Sequence, residues 1–184
     1  MCVEPDAPIP DTNTMFALLY DELRGLAQSW WRDQQPGQTI QPTALVHEAY
    51  VKIARGHPEY KDEEHFRAIA AQAMRQSLVQ HFRSKNSLKR GGSNQSRVTL
   101  TGIESDGQID PVMVLALNEV IGELEVLDKR KARVVEMRYF GGMNEGEIAR
   151  VLGVSDRTIR TEWRTARAWL SNRLTEIDSR DDSL

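Results

Sequence analysis

Four arginines in the last third of the chain can share one side of a helix. Between residues 156 and 174, Arg157, Arg160, Arg164 and Arg167 project at 100° per residue into an arc of roughly 80°, with Thr161 beside it. A row of guanidinium groups suits phosphate oxygens and the acceptor edges of bases, where arginine bonds in a fork. A second arc, roughly 60° wide, holds Ile159, Trp163, Ala166 and Leu170. One side can therefore pack while the other meets nucleic acid.

The residues before this helix fit the same purpose. Asn144 followed by Glu147 is a capping-box start, in which each side chain covers an orphan backbone N–H of the other. Ile148, Ala149 and Leu152 then recur at helical spacing, Gly153 can take a positive φ at low cost, and Ser155 can cap the next helix. The order Ala149, Gly153, Ile159 is that of a helix-turn-helix: a small residue where two helices cross, a turn glycine, and an apolar residue beneath the second helix. A plain helical hairpin with a solvated basic side is the alternative. Spacing, glycine and arginine arc together favour DNA binding.

The formal net charge of −3 argues against a nucleic-acid partner only if charge is spread evenly. It is not. From His65 to Ile103 the chain has no Asp or Glu, yet carries Arg67, Arg75, Arg83, Lys85, Lys89, Arg90 and Arg97. Local field governs binding more than the total does. The lone cysteine, Cys2, excludes a disulfide framework and a cysteine metal site and fits a reducing cytoplasm. No apolar run approaches the ~20 residues of a membrane span, and the first residues have no signal-peptide pattern. His47, His57, His65 and His81 make no metal spacing, no phosphate-binding glycine loop is present, and no catalytic triad can be read. These observations point away from an enzyme and imply no cofactor.

Several elements must position the basic residues. Residues 1–13, rich in Pro and Asp, read as a disordered N-terminus. A helix follows with Phe16, Leu19, Leu23, Leu26 and Trp30 at 3–4 spacing. Residues 34–42 read as a loop, and a second helix over 43–55 buries Leu45, Val46, Ala49, Tyr50 and Ile53. A long third helix over 64–84 is rich in alanine and methionine. Residues 86–109 lack helical periodicity and read as a flexible linker. Asp110-Pro111 opens a second helical group, with Val114, Leu117, Ile121 and Leu124 along its first helix and Asp128 starting the next, which stops at Gly141-Gly142. No strand pattern appears. The expected fold is all-α: two small helical domains, residues 14–85 and 110–175, joined by a flexible linker, the second ending in the helix-turn-helix, with a short acidic tail over 176–184.

At this point the chain resembles the extracytoplasmic-function (ECF) subfamily of bacterial RNA polymerase sigma factors. The resemblance spans nearly the whole chain and rests on three strings in order: QPTALVHEAYVKIARG, HFRAIAAQAMRQSLVQHF and VVEMRYFGGMNEGEIARVLGVSDRTIRTEWRTARAWL. It implies that residues 14–85 are sigma region 2 and residues 110–175 are region 4. Leu45, His47, Glu48 and Tyr50 would dock on the clamp helices of core RNA polymerase, and region 4 would sit at its flap. Tyr60, Phe66, Arg75, Gln76, Arg83 and Lys85 would hold the opened minus-ten strand, where aromatic stacking contributes ~1–3 kcal/mol per base. Arg157, Thr158, Arg160, Thr161, Arg164 and Arg167 would read the minus-thirty-five duplex. The function implied is that of an alternative sigma factor directing promoter-specific initiation.

The chain departs from the family at three places. Gln76 stands where an Asn is common, and Ile69 replaces a tryptophan. At the start of the polymerase-docking helix, where acidic residues are usual, this chain has Gln41-Pro42-Thr43. A phosphate on Thr43 would add about −1.5 to −2 charge at a helix N-terminus, where the macrodipole favours it. Regulation by a Ser/Thr kinase at Thr43, or by an anti-sigma factor, is therefore expected; Thr43 acting only as a helix cap is the plainer reading. Two other functions remain open. A stand-alone helix-turn-helix regulator would bind duplex DNA without polymerase, and a protein adaptor would show no salt-dependent DNA binding.

Overall fold

The structure is a computed structural model that describes residues 9–30, 41–88 and 111–181; at 85–88, 111–112 and 178–181 only the backbone is described. Seven helices account for the described regular structure, and no strand occurs among these residues. They are α1 (Thr12–Ser29), α2 (Pro42–Gly56), α3 (Glu63–Leu88), α4 (Pro111–Leu127), α5 (Lys129–Gly141), α6 (Glu145–Leu152) and α7 (Asp156–Asp181). The all-α expectation holds.

Local chemistry explains most helix ends. Asp11 starts α1 by accepting from the Asn13 and Thr14 amides at 2.8 and 3.0 Å, so the helix begins inside the stretch expected to be disordered. That bonding holds the Asp11 carboxyl below the usual carboxylate range. Pro42, expected in a loop, is the first residue of α2, where its missing N–H costs nothing. Asp128 caps α5 through the Lys131 amide at 3.0 Å. Helix α7 runs past the expected end at residue 174 to Asp181, carrying most of the expected acidic tail. Helix α3 likewise continues three residues into the expected linker; residues 89–110, 31–40, 1–8 and 182–184, on which the remaining loop, linker and tail expectations fall, lie outside the described residues.

Packing follows the apolar stripes. In α1, Met15, Phe16, Leu19, Leu23 and Ala27 are buried against α2, which contributes Leu45, Val46, Ala49 and Ile53. Helix α3 is buried on two sides. Phe66, Ala70, Met74, Leu78 and Phe82 face the first group, while its alanines also admit the second. Helices α4, α5 and α6 all pack on α3, and one apolar cluster runs from Met15 to Leu174 through both groups. In this conformation the two helical groups share a core across α3. The cause is steric: Ala68 and Ala71 project little, and a Cβ placed on Gly141 of α5 would stand 3.1 Å from the Ala71 Cβ.

Candidate nucleic-acid interface

The helix-turn-helix is built from local bonds. Asn144 Oδ1 accepts from the Glu147 amide at 3.1 Å, and the Asn144 amide donates to Glu147 Oε2 at 2.7 Å, completing the capping box. Gly153 ends α6 with φ +66°, and the Val154 amide returns to the Ala149 carbonyl at 3.0 Å. Ser155 Oγ then accepts from the Thr158 amide at 3.2 Å and starts α7. Ile148, Ala149 and Ile159 are buried together with Val134, Met137 and Met143, which fixes the crossing of the two helices.

This crossing turns the arginine row outward. Arg157, Arg160, Thr161, Arg164 and Arg167 are exposed and Thr158 is half-buried, whereas Ile159, Ala166 and Leu170 are fully buried. Arg160 Nε lies 3.0 Å from Glu145 Oε2 in an exposed pair. The Thr161 hydroxyl donates to the Arg157 carbonyl at 3.0 Å. Trp163 is half-buried, edge-on to Tyr139 at 5.4 Å, with the Arg138 guanidinium 5.6 Å above its ring. Beneath the row, buried Glu162 pairs with Arg130.

The residues expected at the opened strand are placed unequally. Gln76 and Arg83 are exposed on α3, and Lys85 is on the same helix. Tyr60 is half-buried; its hydroxyl donates to the Pro10 carbonyl at 2.6 Å and its ring stands edge-on to Phe66 at 4.9 Å. Phe66 is fully buried, so here it supports Tyr60 and presents no face to a base. Arg75 lies against the second helical group, its Nε 2.6 Å from Glu136 Oε1 and its Nη1 2.8 Å from Asn118 Oδ1. Burial pushes the Glu136 carboxyl above its ordinary range although Arg75 opposes the shift.

The α2 surface is similarly divided. His47 and Glu48 are exposed, Leu45 is fully buried, and Tyr50 is half-buried with its hydroxyl donating to Asn13 Oδ1 at 2.7 Å. His47 and Glu48 join Val51, Lys52 and Arg55 along an open groove of about 460 Å³, closed on its far side by Gln80, His81 and Ser84 of α3. Lys52 Nζ donates across it to Gln80 Oε1 at 3.2 Å. Val51, Lys52 and Arg55 were not expected here; the available signal was the spacing of Val51 and Arg55 at i+4 and i+8 from His47 and of Lys52 at i+4 from Glu48. Thr43 is the second residue of α2. The cap position is Gln41, which makes no side-chain cap bond, and the first turn has no acidic residue. Thr43 therefore does not cap the helix.

Comparison with known proteins gives one informative result. A family model described as ECF sigma factor matches residues 9–176, which takes in all of α1 to α6 and most of α7. Neither the curated proteins nor the solved structures gave a match.

Proposed function

Since the chain belongs to the ECF sigma factor family, whose members act in transcription initiation and bind DNA, we propose that it is an alternative sigma factor that joins core RNA polymerase and directs it to minus-ten and minus-thirty-five elements. One observation carries the assignment of parts: a capped helix-turn-helix turns Arg157, Arg160, Thr161, Arg164 and Arg167 outward as a continuous exposed row. Some of these arginines would read base edges and others would hold phosphates and set register. Residues 14–85 would serve as region 2 and 110–175 as region 4.

Core polymerase would dock at the groove between α2 and α3, touching His47, Glu48 and Val51, with Leu45 and Tyr50 shaping the surface from beneath. Region 4 would meet the polymerase flap. Tyr60, Gln76, Arg83 and Lys85 would track the opened strand, with Phe66 as support and Arg75 joining once exposed. The setting would be the cytoplasm; no described helix is long and apolar enough to cross a membrane. A phosphate on Thr43 would supply the acid that the first turn of α2 lacks. A Ser/Thr kinase or an anti-sigma factor would then set activity. A Thr43→Val chain with full activity in its host would end the phosphorylation part of the proposal.

The test is saturable binding of the purified full chain to bacterial core RNA polymerase. Tight binding that Glu48→Lys weakens without lowering the melting temperature is the expected result. A folded, unmodified or Thr43-phosphorylated chain that never binds core would leave a stand-alone DNA regulator as the better reading.

A further inference from the structure

Two cations line one end of the α2–α3 groove, and no carboxylate is bonded to either. The Lys52 ammonium donates to the neutral Gln80 amide oxygen at 3.2 Å, and Arg55 makes no ion pair among the described residues. Glu48 is the one acid along the groove, and it is exposed. Burial holds Lys52 below the usual lysine range, and the Glu48 charge offsets this only in part. This end of the groove therefore faces too little negative charge.

The other end has a different character. His47 presents an exposed imidazole whose ring stands 5.9 Å from that of Tyr20, and Val51, one turn on, is 41% exposed. His81 supplies a second imidazole from α3. From His47 to Arg55 the lining runs over eight residues of α2, about 12 Å at 1.5 Å per residue. Lys52 and Arg55 are spaced i+3, so their Cβ atoms are neighbours on the helix surface, about 5–6 Å apart. The volume of about 460 Å³ falls within the ~300–1,000 Å³ of small-molecule sites. A ring-bearing, apolar end set apart from a two-cation end fits a ligand with a flat ring at one end and two linked anions at the other.

We infer that this groove binds a nucleoside diphosphate, with the base over Val51 and the His47 ring and the two phosphates on Lys52 and Arg55. Phosphate oxygens give both cations the charge-assisted acceptors that the chain itself does not supply. The base gains apolar and ring contact, which is sequence-tolerant because every base has a π-face. One consequence rests on the sigma-factor reading. Core polymerase would dock on the same groove, so nucleotide and polymerase exclude one another. By linkage each weakens the other by the same factor.

Titration calorimetry of the full chain with ADP, at fixed salt and without divalent cations, tests the site. One saturable site is expected. Adenosine and pyrophosphate, which each fill one end, should bind at least about tenfold more weakly than ADP. The double variant Lys52→Gln, Arg55→Gln should also lose at least about tenfold, whereas Glu48→Gln, which removes the one acid, should bind ADP about 1.4- to 5-fold more tightly. In proton spectra, ADP should shift the imidazole signals of His47 and His81 and leave those of His57 and His65. Absence of saturable binding, a folded double variant with undiminished affinity, no gain in Glu48→Gln, or shifts confined to His57 and His65 would each overturn the inference. ADP at ten times its own Kd should weaken the apparent affinity for core polymerase about elevenfold; core affinity unchanged by ADP would overturn the exclusion. A chain that binds ADP but never binds core polymerase would instead remove the sigma-factor reading and leave the nucleotide site standing.

Discussion

Replacing Arg160 by alanine should separate recognition from folding. Its side chain is 60% exposed, and its ion pair is with Glu145, itself 29% exposed. Exposed pairs of this kind contribute ~0.2–1 kcal/mol, so the variant should lose no more than about 1 kcal/mol of stability. For a chain of this size that is a drop of about 2–4 °C in melting temperature. Binding should suffer more. A forked contact to guanine carries ~1–3 kcal/mol of discrimination, or roughly 5- to 150-fold in affinity for the cognate duplex. The assay is fluorescence anisotropy of the holoenzyme on a minus-thirty-five duplex, repeated with each base pair of the element changed in turn. If Arg160 reads a base, its loss should flatten the preference at one position; if it holds a phosphate, affinity should fall equally on all duplexes and the salt slope should drop by ~0.9. Glu145→Gln supplies the converse, because Arg160 must leave Glu145 to reach DNA: affinity should rise by roughly 1.4- to 5-fold. A folded Arg160→Ala chain with unchanged affinity on every duplex would refute the placement of this residue on the reading face.

Three further outcomes follow from the geometry. Gly153→Ala should cost about 1 kcal/mol in thermal unfolding, since φ is +66° and the new methyl meets only open space; Gly142→Ala should cost more, because φ is +60° and Leu26 Cδ1 lies 3.2 Å from the added Cβ. Asn144→Ala should remove ~1 kcal/mol by breaking the capping box, with loss of α6 helicity and weaker duplex binding by the same chain. Glu136→Gln should be as stable as the wild type or more so near pH 7. The folded protein holds the Glu136 proton more tightly than the unfolded chain does, so the charged carboxylate opposes folding above its raised pKa, and acidification relieves this. The gap in melting temperature between variant and wild type should therefore shrink as pH falls through that raised value toward the ordinary 4.5; a gap that widens on acidification would contradict the sign.

What could be read from sequence was what neighbouring residues decide. Asn144, Glu147, Gly153 and Ser155 act on backbone groups within five residues, and each does in the structure what its type and spacing suggested. The same is true of Asp128 and of the buried stripe through Ile159, Ala166 and Leu170. Helix ends were less legible. The Asp11 cap lies in a Pro-rich stretch, and residues 175–181, polar except for Ile177, continue α7 with support from Ile177 packed on the core and from Arg173 bonded to Glu123 of α4. Residue roles on α3 and α2 were partly hidden as well. Apolar Phe66 and Leu45 fit a binding face and a core equally well on spacing, and the structure places both inside. The ion pairs that join α3 to the second helical group were illegible for a plain reason: Arg75 and Glu136 are 61 residues apart, Arg67 and Glu147 80, and Glu64 and Arg150 86. No local pattern pairs charges at such separations, and the basic run on α3 read as a surface for a partner when its first partner is the chain itself.

The central claim is that this chain gives core RNA polymerase a promoter preference. The direct measurement is transcription by core polymerase reconstituted with the purified chain on fragments of its host genome, followed by sequencing of the RNA 5′ ends. The account predicts new start sites that share two upstream sequence blocks, one near minus ten and one near minus thirty-five, and that vanish when Arg157, Arg160 and Arg164 are all replaced by alanine. Start sites indistinguishable from those of core polymerase alone would contradict it.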